Sequence, residues 1–283
     1  MKLSYYPGCS LESTAKEYNS SALAVSKALG IDLIEIKDWS CCGATSAHSV
    51  NQLLSYALPA RNIDLAQKSG YDLAIPCAAC YSRLKRTDHV LRNDPCKKKE
   101  IEDIVNFRYT GDIRVMSLLE TYSTKLEPAE IAKKVKKPLT GLKVACYYGC
   151  LLVRPPEITC FDNPEYPMSM DRLMKAIGAE PVKWSYKTDC CGASQSMTSS
   201  QRVVKMVSRI IDMAEEAGAQ AIVTACPLCQ MNFESRREAR QTIPAFFFTE
   251  LIGLALGLKD NSEWLTKHIV DPMPLLRSLS LAM

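Results

Sequence analysis

Ten cysteines of this 283-residue chain fall into two sets of five: Cys9, Cys41-Cys42, Cys77 and Cys80, then Cys150, Cys190-Cys191, Cys226 and Cys229. Each set reads Cys…Cys-Cys…Cys-x-x-Cys. Four of the five positions recur at an offset of 149, and the lead cysteine recurs at 141. The flanks recur as well. Tyr5-Tyr6-Pro7-Gly8-Cys9 answers Tyr147-Tyr148-Gly149-Cys150, and Cys41-Cys42-Gly43-Ala44 answers Cys190-Cys191-Gly192-Ala193. Core cysteines placed independently would not keep register, so one site design is used twice. Clustered thiols in a chain of this length point to metal binding or redox chemistry rather than to a disulfide framework.

Three chemistries compete for such a set. A thioredoxin-like dithiol accounts for each Cys-x-x-Cys but leaves the vicinal pairs and the lead cysteines idle. Structural zinc takes four ligands in a tetrahedron, so five thiols are one too many. Vicinal cysteines also point apart, and none of the three histidines (His48, His89, His268) lies inside a Cys-x-x-Cys. A polynuclear iron–sulfur cluster spreads its irons over a few ångströms. Neighbouring thiolates can then reach different irons, and a fifth can bridge. Of the three, the cluster uses every cysteine. The ferredoxin run C-x2-C-x2-C-x3-C-P is absent, so an ordinary loop-bound cubane is not what this spacing offers.

The elements that must position the thiols are readable from periodicity. Short apolar runs at 2–6, 33–37 and 72–75 are strand-like, and 11–29, 48–68 and 81–91 carry the helical period. The second half repeats this with strands at 143–147, 181–186 and 219–224 and a helix at 201–217. Such alternation predicts a small α/β unit with a parallel sheet, built twice in tandem. Every cysteine follows a strand and precedes a helix. That is the carboxyl edge of an open sheet, where ligands bind and helix N-termini favour thiolates. The expected organisation is a first half at 1–92, a helical connector at 93–141 (helices at 98–106, 115–122 and 128–137) and a second half at 142–283 with C-terminal helices.

The two sets differ in one place. Eight extra residues stand between Cys150 and Cys190, in the Pro-rich stretch 151–164. It reads either as a surface excursion or as a loop shaping a site beside the second set. Arg154 there is placed to pair with a substrate carboxylate or phosphate. Asp38 and Trp39, and Lys183, Trp184 and Tyr186, precede the vicinal pairs and are placed to line the sites or to pack beside them. Cys146 is expected in the core, Cys96 has no repeat partner, and Cys160 sits in the extra loop. The helix expected at 244–258, with Phe246-Phe247-Phe248, is a core element or a contact with another protein of the same complex.

Bulk properties exclude several classes. Hydrophobic residues are 47% and charged residues 23%, enough apolar material for a sizeable core. The net charge of +4 is too small to argue for nucleic acid. No run approaches the ~20 apolar residues of a membrane span, and the first residues lack a signal-length apolar run. The expected location is cytoplasmic. The lysine runs at 97–99 and 133–137 are expected as solvated faces, with docking of an acidic electron-transfer partner as the alternative.

Both cysteine sets, both Cys-Cys-Gly runs and Tyr147-Tyr148-Gly149-Cys150-Leu151-Leu152-Val153-Arg154-Pro155 resemble the CCG-domain (cysteine-rich domain) family. Within it, the similarity is to the B subunits of heterodisulfide reductases, over nearly the whole chain. One departure is that both gaps from Cys-Cys to Cys-x-x-Cys hold 34 residues, about one fewer than the family pattern. The resemblance implies two noncubane [4Fe-4S] clusters, each with five cysteine ligands. Cys9, Cys41, Cys42, Cys77 and Cys80 would hold the first, and Cys150, Cys190, Cys191, Cys226 and Cys229 the second. It further implies a shared cavity where a disulfide of the coenzyme M–coenzyme B type or an analogue is reduced to two thiols. Electrons would arrive through a ferredoxin-like C subunit from a flavin-containing A subunit. A pure electron relay in another CCG-containing reductase complex is the alternative. Tyr5–Glu12 is similar to relatives outside the methanogens, which keeps other substrates open.

Overall fold

A computed structural model describes residues 1–44 and 47–281. The expected second half closes on Ala282 and Met283, which lie outside the described residues. The first half runs β1 (Lys2–Tyr5), α1 (Cys9–Glu12), α2 (Lys16–Leu29), β2 (Asp32–Glu35), α3 (Ala47–Val50), α4 (Leu54–Ser69), β3 (Leu73–Ile75), α5 (Ala78–Asn93), α6 (Pro95–Val105), β4 (Val115–Ser117), α7 (Leu118–Lys125) and α8 (Pro128–Lys134). The second runs β5 (Lys143–Tyr147), α9 (Pro156–Thr159), α10 (Ser169–Ala176), β6 (Glu180–Pro181), α11 (Ser200–Glu216), β7 (Ala221–Thr224), α12 (Pro227–Ser235), β8 (Ala245–Phe247), α13 (Phe248–Ala255), α14 (Asn261–Leu265) and α15 (Met273–Ser278).

The two sheets have one topology, β2-β1-β3-β4 and β6-β5-β7-β8, and every pairing is parallel. The expected tandem α/β architecture is therefore present. The central strands β3 and β7 are buried along their whole length, as parallel strands covered on both faces must be. α11 buries Val203, Val207, Ile210, Ile211 and Ala214, one face of a 3.6-residue period. α2 stops at Gly30, whose left-handed φ of 86° lets its N–H return to the carbonyls of Ser26 and Lys27.

The helix expected at 11–29 divides into α1 and α2, the strand expected at 181–186 is reduced to Glu180–Pro181, and three further expected elements are corrected. The helix expected at 115–122 is a strand, β4, followed by α7, so segment 93–141 also supplies the fourth strand of the first sheet. Ser117 Oγ accepts from the N–H of Glu120, and Glu120 accepts from the N–H of Ser117, which starts the helix only at Leu118. The helix expected at 244–258 divides the same way into β8 and α13, with Glu250 accepting the N–H of Phe247. The helix expected at 48–68 is interrupted because Asn51 Oδ1 caps the N–H of Leu54 and starts α4 there. The repeat thus extends past the cysteines into a fourth strand and its helix.

The halves join through α2 and α13. Tyr18 stacks on Phe247 at 4.0 Å, Tyr122 meets Phe248 edge-on at 5.4 Å, and Ser21 bonds Thr249 at 2.7 Å. Phe246, Phe247 and Phe248 are fully buried, so this run is core rather than a contact with another protein. Each aromatic pair adds about 1 kcal/mol beyond the area it buries.

Candidate metal centre

Each Cys-x-x-Cys opens a helix. Cys77 caps α5 and Cys80 lies in its first turn; Cys226 caps α12, with Pro227 at the first helical position, and Cys229 lies in the first turn. The vicinal pairs lie in the turns after the second strand of each sheet. Cys42 and Cys191 are buried, whereas Cys41 and Cys190 are exposed, so chain neighbours do point apart. Each pair splits between two partners. Cys42 Sγ lies 3.3 Å from Cys80 Sγ, and Cys191 Sγ lies 3.4 Å from Cys229 Sγ. Cys41 and Cys190 turn instead to the lead cysteines Cys9 and Cys150. The structure thus brings Cys42 to Cys80 and Cys191 to Cys229 in the two halves alike, and no disulfide forms among the ten thiols.

Glycine after each vicinal pair has a local reason. Gly43 and Gly192 adopt φ of 71° and 76°, and their N–H groups point back at Cys41 Sγ (3.4 Å) and Cys190 Sγ (3.3 Å). A Cβ on Gly43 would stand 2.7 Å from that of Ala47. Only glycine takes this conformation cheaply.

The thiols within a set share protons. The hydrogen bond from Cys80 leads a group of effects that outweighs burial and brings Cys42 down to about 7. The bond from Cys150 does the same for Cys190, which falls to about 6. Each set thus offers a thiolate near neutrality, while Cys80 and Cys150 are pushed up by the same bonds. Among the described residues, no three His, Cys, Asp or Glu side chains converge as a single-ion site does. Cys42–Cys80 and Cys191–Cys229 stand as contacting pairs of thiols.

The two groups meet. Cys77 and Cys226 lie near enough for each to shift the other's proton affinity. Directly behind them, the buried Tyr18 hydroxyl lies 3.3 Å from both the Pro76 and the Ala225 carbonyls. These carbonyls belong to the residues just before the two Cys-x-x-Cys motifs. One side chain from α2 thereby holds both motifs in place.

The stretch that carries the eight extra residues borders an open cavity. A cavity of about 480 Å³ opens beside Cys150, walled by Leu151, Arg154, Pro155, Pro156, Pro164 and Glu165, with Arg86 from α5 of the first half. Arg154 is held by Glu165 at 2.8 Å and Thr188 at 3.0 Å. The loop is anchored by a residue that periodicity did not single out. Lys187 is fully buried; its Nζ bonds Asp171 at 2.6 Å and the Pro167 carbonyl at 3.0 Å, while Tyr148 donates to Asp171 at 2.7 Å. The Lys187 carbonyl accepts the N–H groups of Tyr148 and Gly149, the run leading into Cys150.

Other expected residues divide clearly. Trp39 meets Tyr6 edge-on at 5.4 Å, and the buried Trp184 donates to the Cys146 carbonyl, so both pack behind the sites. Asp38 pairs with Arg61, Tyr186 accepts from Arg209, and Lys183 faces solvent. Cys146 is buried in β5 as expected; Cys96 and Cys160 are exposed, and neither lines the cavity. Lys97, Lys98 and Lys133 pair with acids on their own helices, the behaviour of solvated faces.

Behind α12 lies a cluster that the sequence did not signal. Buried His268 sits 3.1 Å from both Glu234 and Glu250. Burial by itself would lower its pKa, but the two carboxylates prevail and raise it to about 10.

Among known proteins, the B subunit of a CoB-CoM heterodisulfide reductase from Methanosarcina acetivorans is 28% identical over 98% of this chain and 97% of its own. A component of 8-methylmenaquinol:fumarate reductase from Wolinella succinogenes, described as its membrane anchor, is 34% identical over 97% of this chain and 99% of its own. A hypothetical protein from Helicobacter pylori shares the fold, with a TM-score of 0.76 at 14% identity, over 95% of this chain and 52% of that one. No helix among the described residues is long and apolar enough to cross a membrane. The cysteine-rich domain (CCG) family matches at residues 3–85 and again at 144–234, and this chain belongs to that family, carrying its domain twice.

Proposed function

We propose that this chain is the iron–sulfur component of a multi-protein oxidoreductase and that it reduces a disulfide at two noncubane [4Fe-4S] clusters. Residues 1–92 would carry the first and 142–283 the second. One observation carries the reading: the two duplicated five-thiol sets adjoin, with the Tyr18 hydroxyl 3.3 Å from the carbonyls that precede both Cys-x-x-Cys motifs. Disulfide reduction takes two electrons, and two adjoining one-electron sites match that requirement. When bound, the clusters supply the electrons and the Lewis acidity.

The chain's own residues do the rest. The ten cysteines hold and orient the clusters, with Cys41 and Cys190 on the exposed side. Tyr18 fixes the spacing of the two motifs. The cavity beside Cys150 receives substrate, and Arg154 with Arg86 orients a carboxylate or phosphate on it. The names of the Methanosarcina relatives support the disulfide and, by extension, partners equivalent to a ferredoxin-like C subunit and a flavin-containing A subunit.

A second reading, an electron relay within another reductase complex, is favoured by the Wolinella relative and by a Methanothermobacter marburgensis relative named as the B subunit of a CoM/CoB fumarate reductase. Anaerobic reconstitution with iron and sulfide should load about eight irons per chain. Reduced viologen should then drive cleavage of a disulfide such as coenzyme M–coenzyme B. Zinc alone at one or two per chain would sink the cluster reading, and full iron loading without disulfide cleavage would select the relay.

A further inference from the structure

At the offset of 149, the side chains three positions past each Cys-x-x-Cys differ in charge. Arg83 follows Cys80 by three, and Asn232 follows Cys229 by three. Positions three apart share one face of a helix, so each side chain stands on the face that carries the last cysteine of its set. Both also reach across to the segment behind the vicinal pair. Arg83 Nη2 donates to His48 Nδ1 on α3 at 3.0 Å, and Asn232 Oδ1 accepts from the Ser196 hydroxyl at 3.0 Å. Ala47, the neighbour of His48, is the counterpart of Ser196. It packs on Gly43, where a Cβ would stand 2.7 Å from its own, and Gly43 directly follows Cys41-Cys42. The Arg83 side chain is thereby bracketed by Cys80 on one side and the vicinal pair on the other.

The two bridges are alike in place and unlike in charge. Asn232 is neutral and buried, and its amide donates to the Cys191 carbonyl at 2.9 Å. Arg83 is a half-buried cation whose polar partner among the described residues is the acceptor nitrogen of His48, not a carboxylate. Other charges beside the sets are paired or lie in water. Arg154 is matched by Glu165 at 2.8 Å and Lys187 by Asp171 at 2.6 Å. Glu12, Asp189 and Arg86 are exposed, where mobile ions screen them. Arg83 is therefore the charge that distinguishes one set from the other.

We infer that Arg83 gives the cluster held by the first cysteine set the higher reduction potential of the two, so that the first electron to enter the chain is held in the first half. This rests on the proposed cluster reading. One-electron reduction lowers the charge of a thiolate-held site by one, with no bond broken and no proton moved. A fixed guanidinium nearby stabilises the more negative form and raises the potential. A unit charge about 10 Å away, at an effective dielectric of ~20, changes such an equilibrium about tenfold. This order suits a two-electron reaction. The first electron waits beside Arg83 until the same one-electron donor protein supplies a second to the other half, where the cavity opens at Cys150.

The test is a potentiometric titration followed by electron paramagnetic resonance, on the full reconstituted chain and on Arg83→Gln and Arg83→Lys. Cys41→Ser, which removes a ligand of the first set alone, identifies that set's signal. In the wild type this signal should have the higher midpoint. Arg83→Gln keeps a hydrogen-bond donor but removes the charge. It should lower the first midpoint by about tenfold in the ratio of reduced to oxidised form, ~59 mV for one electron, and leave the second in place. Arg83→Lys keeps the charge and should retain most of the wild-type value. Iron and sulfide content should not change in either. A first midpoint at or below the second overturns the inference, and so does an unmoved midpoint in Arg83→Gln. Equal shifts in the two variants, or loss of iron from the first half, would assign Arg83 a structural role and overturn it as well. Wild-type chain that takes up no iron–sulfur cluster would sink the cluster reading and this inference together, an outcome distinct from full loading with the midpoints in the wrong order.

Discussion

Lys187→Met should destabilise the second half selectively. The Lys187 side chain has no solvent exposure, and its Asp171 partner has a side-chain exposure of only 6%. Methionine keeps most of the volume but removes the cation. Asp171 then remains buried with the Tyr148 hydroxyl at 2.7 Å as its main support. Removing one member of a buried pair costs about 3–5 kcal/mol, because the other charge stays behind uncompensated. The Tyr148 bond offsets part of this, so a loss of about 3 kcal/mol is expected. For a chain of this size that lowers Tm by roughly 6–12 °C. The Lys187 backbone holds the approach to Cys150, so iron should leave the second set before the first. Replacing both partners, as Lys187→Met with Asp171→Leu, should recover much of the loss, since no buried charge is then stranded. Thermal melts at pH 7 with iron analysis make the check. A single variant within about 1 kcal/mol of wild type, or a double variant no better than the single, refutes the reasoning.

Three further outcomes are expected. The folded pKa of His268, at about 10, lies above its unfolded value of ~6.5, so its contribution is complete below pH ~6.5 and disappears as pH rises through about 10. Stability curves of wild type and His268→Gln should converge over that window, and parallel curves would refute the assignment. Gly43→Ala forces a side chain into a left-handed turn and against Ala47, so about half of the iron should be lost while the second set stays loaded. Equal loss from both sets would contradict this. Tyr18→Phe removes the hydroxyl shared by the Pro76 and Ala225 carbonyls, at a cost of about 1 kcal/mol. Spin coupling between the reduced clusters should weaken measurably, and an unchanged spectrum would deny Tyr18 its spacing role.

The duplication of the site was legible because cysteine spacing is a covalent property of the chain. Register survives in the numbering whatever surrounds it, so Cys9 through Cys229 could be sorted into two sets without coordinates. The parallel α/β units were legible from alternating periodicity, and the vicinal pairs pointed to a spread of donors rather than to one ion. The fourth strand of each sheet was not legible. Val115–Ser117 and Ala245–Phe247 are three residues each, too short for a period, and each runs straight into an apolar helix. What makes them strands is hydrogen bonding to β3 and β7, partners set by the fold.

Tertiary structure alone decided how the two sets relate. The sequence places Cys77 and Cys226 149 positions apart, and tertiary packing brings their motifs together around the Tyr18 hydroxyl. The Lys187–Asp171–Tyr148 network and the Glu234–His268–Glu250 cluster are likewise contacts across sequence, invisible to spacing. The insertion at 151–164 announced an asymmetry between the halves, but its cavity needs Arg86 from the other half to be complete. Local spacing can reveal which thiols belong to one set, because each set's design repeats in register. It cannot reveal what stands between two sets, because that depends on long-range packing of faces that carry no local mark.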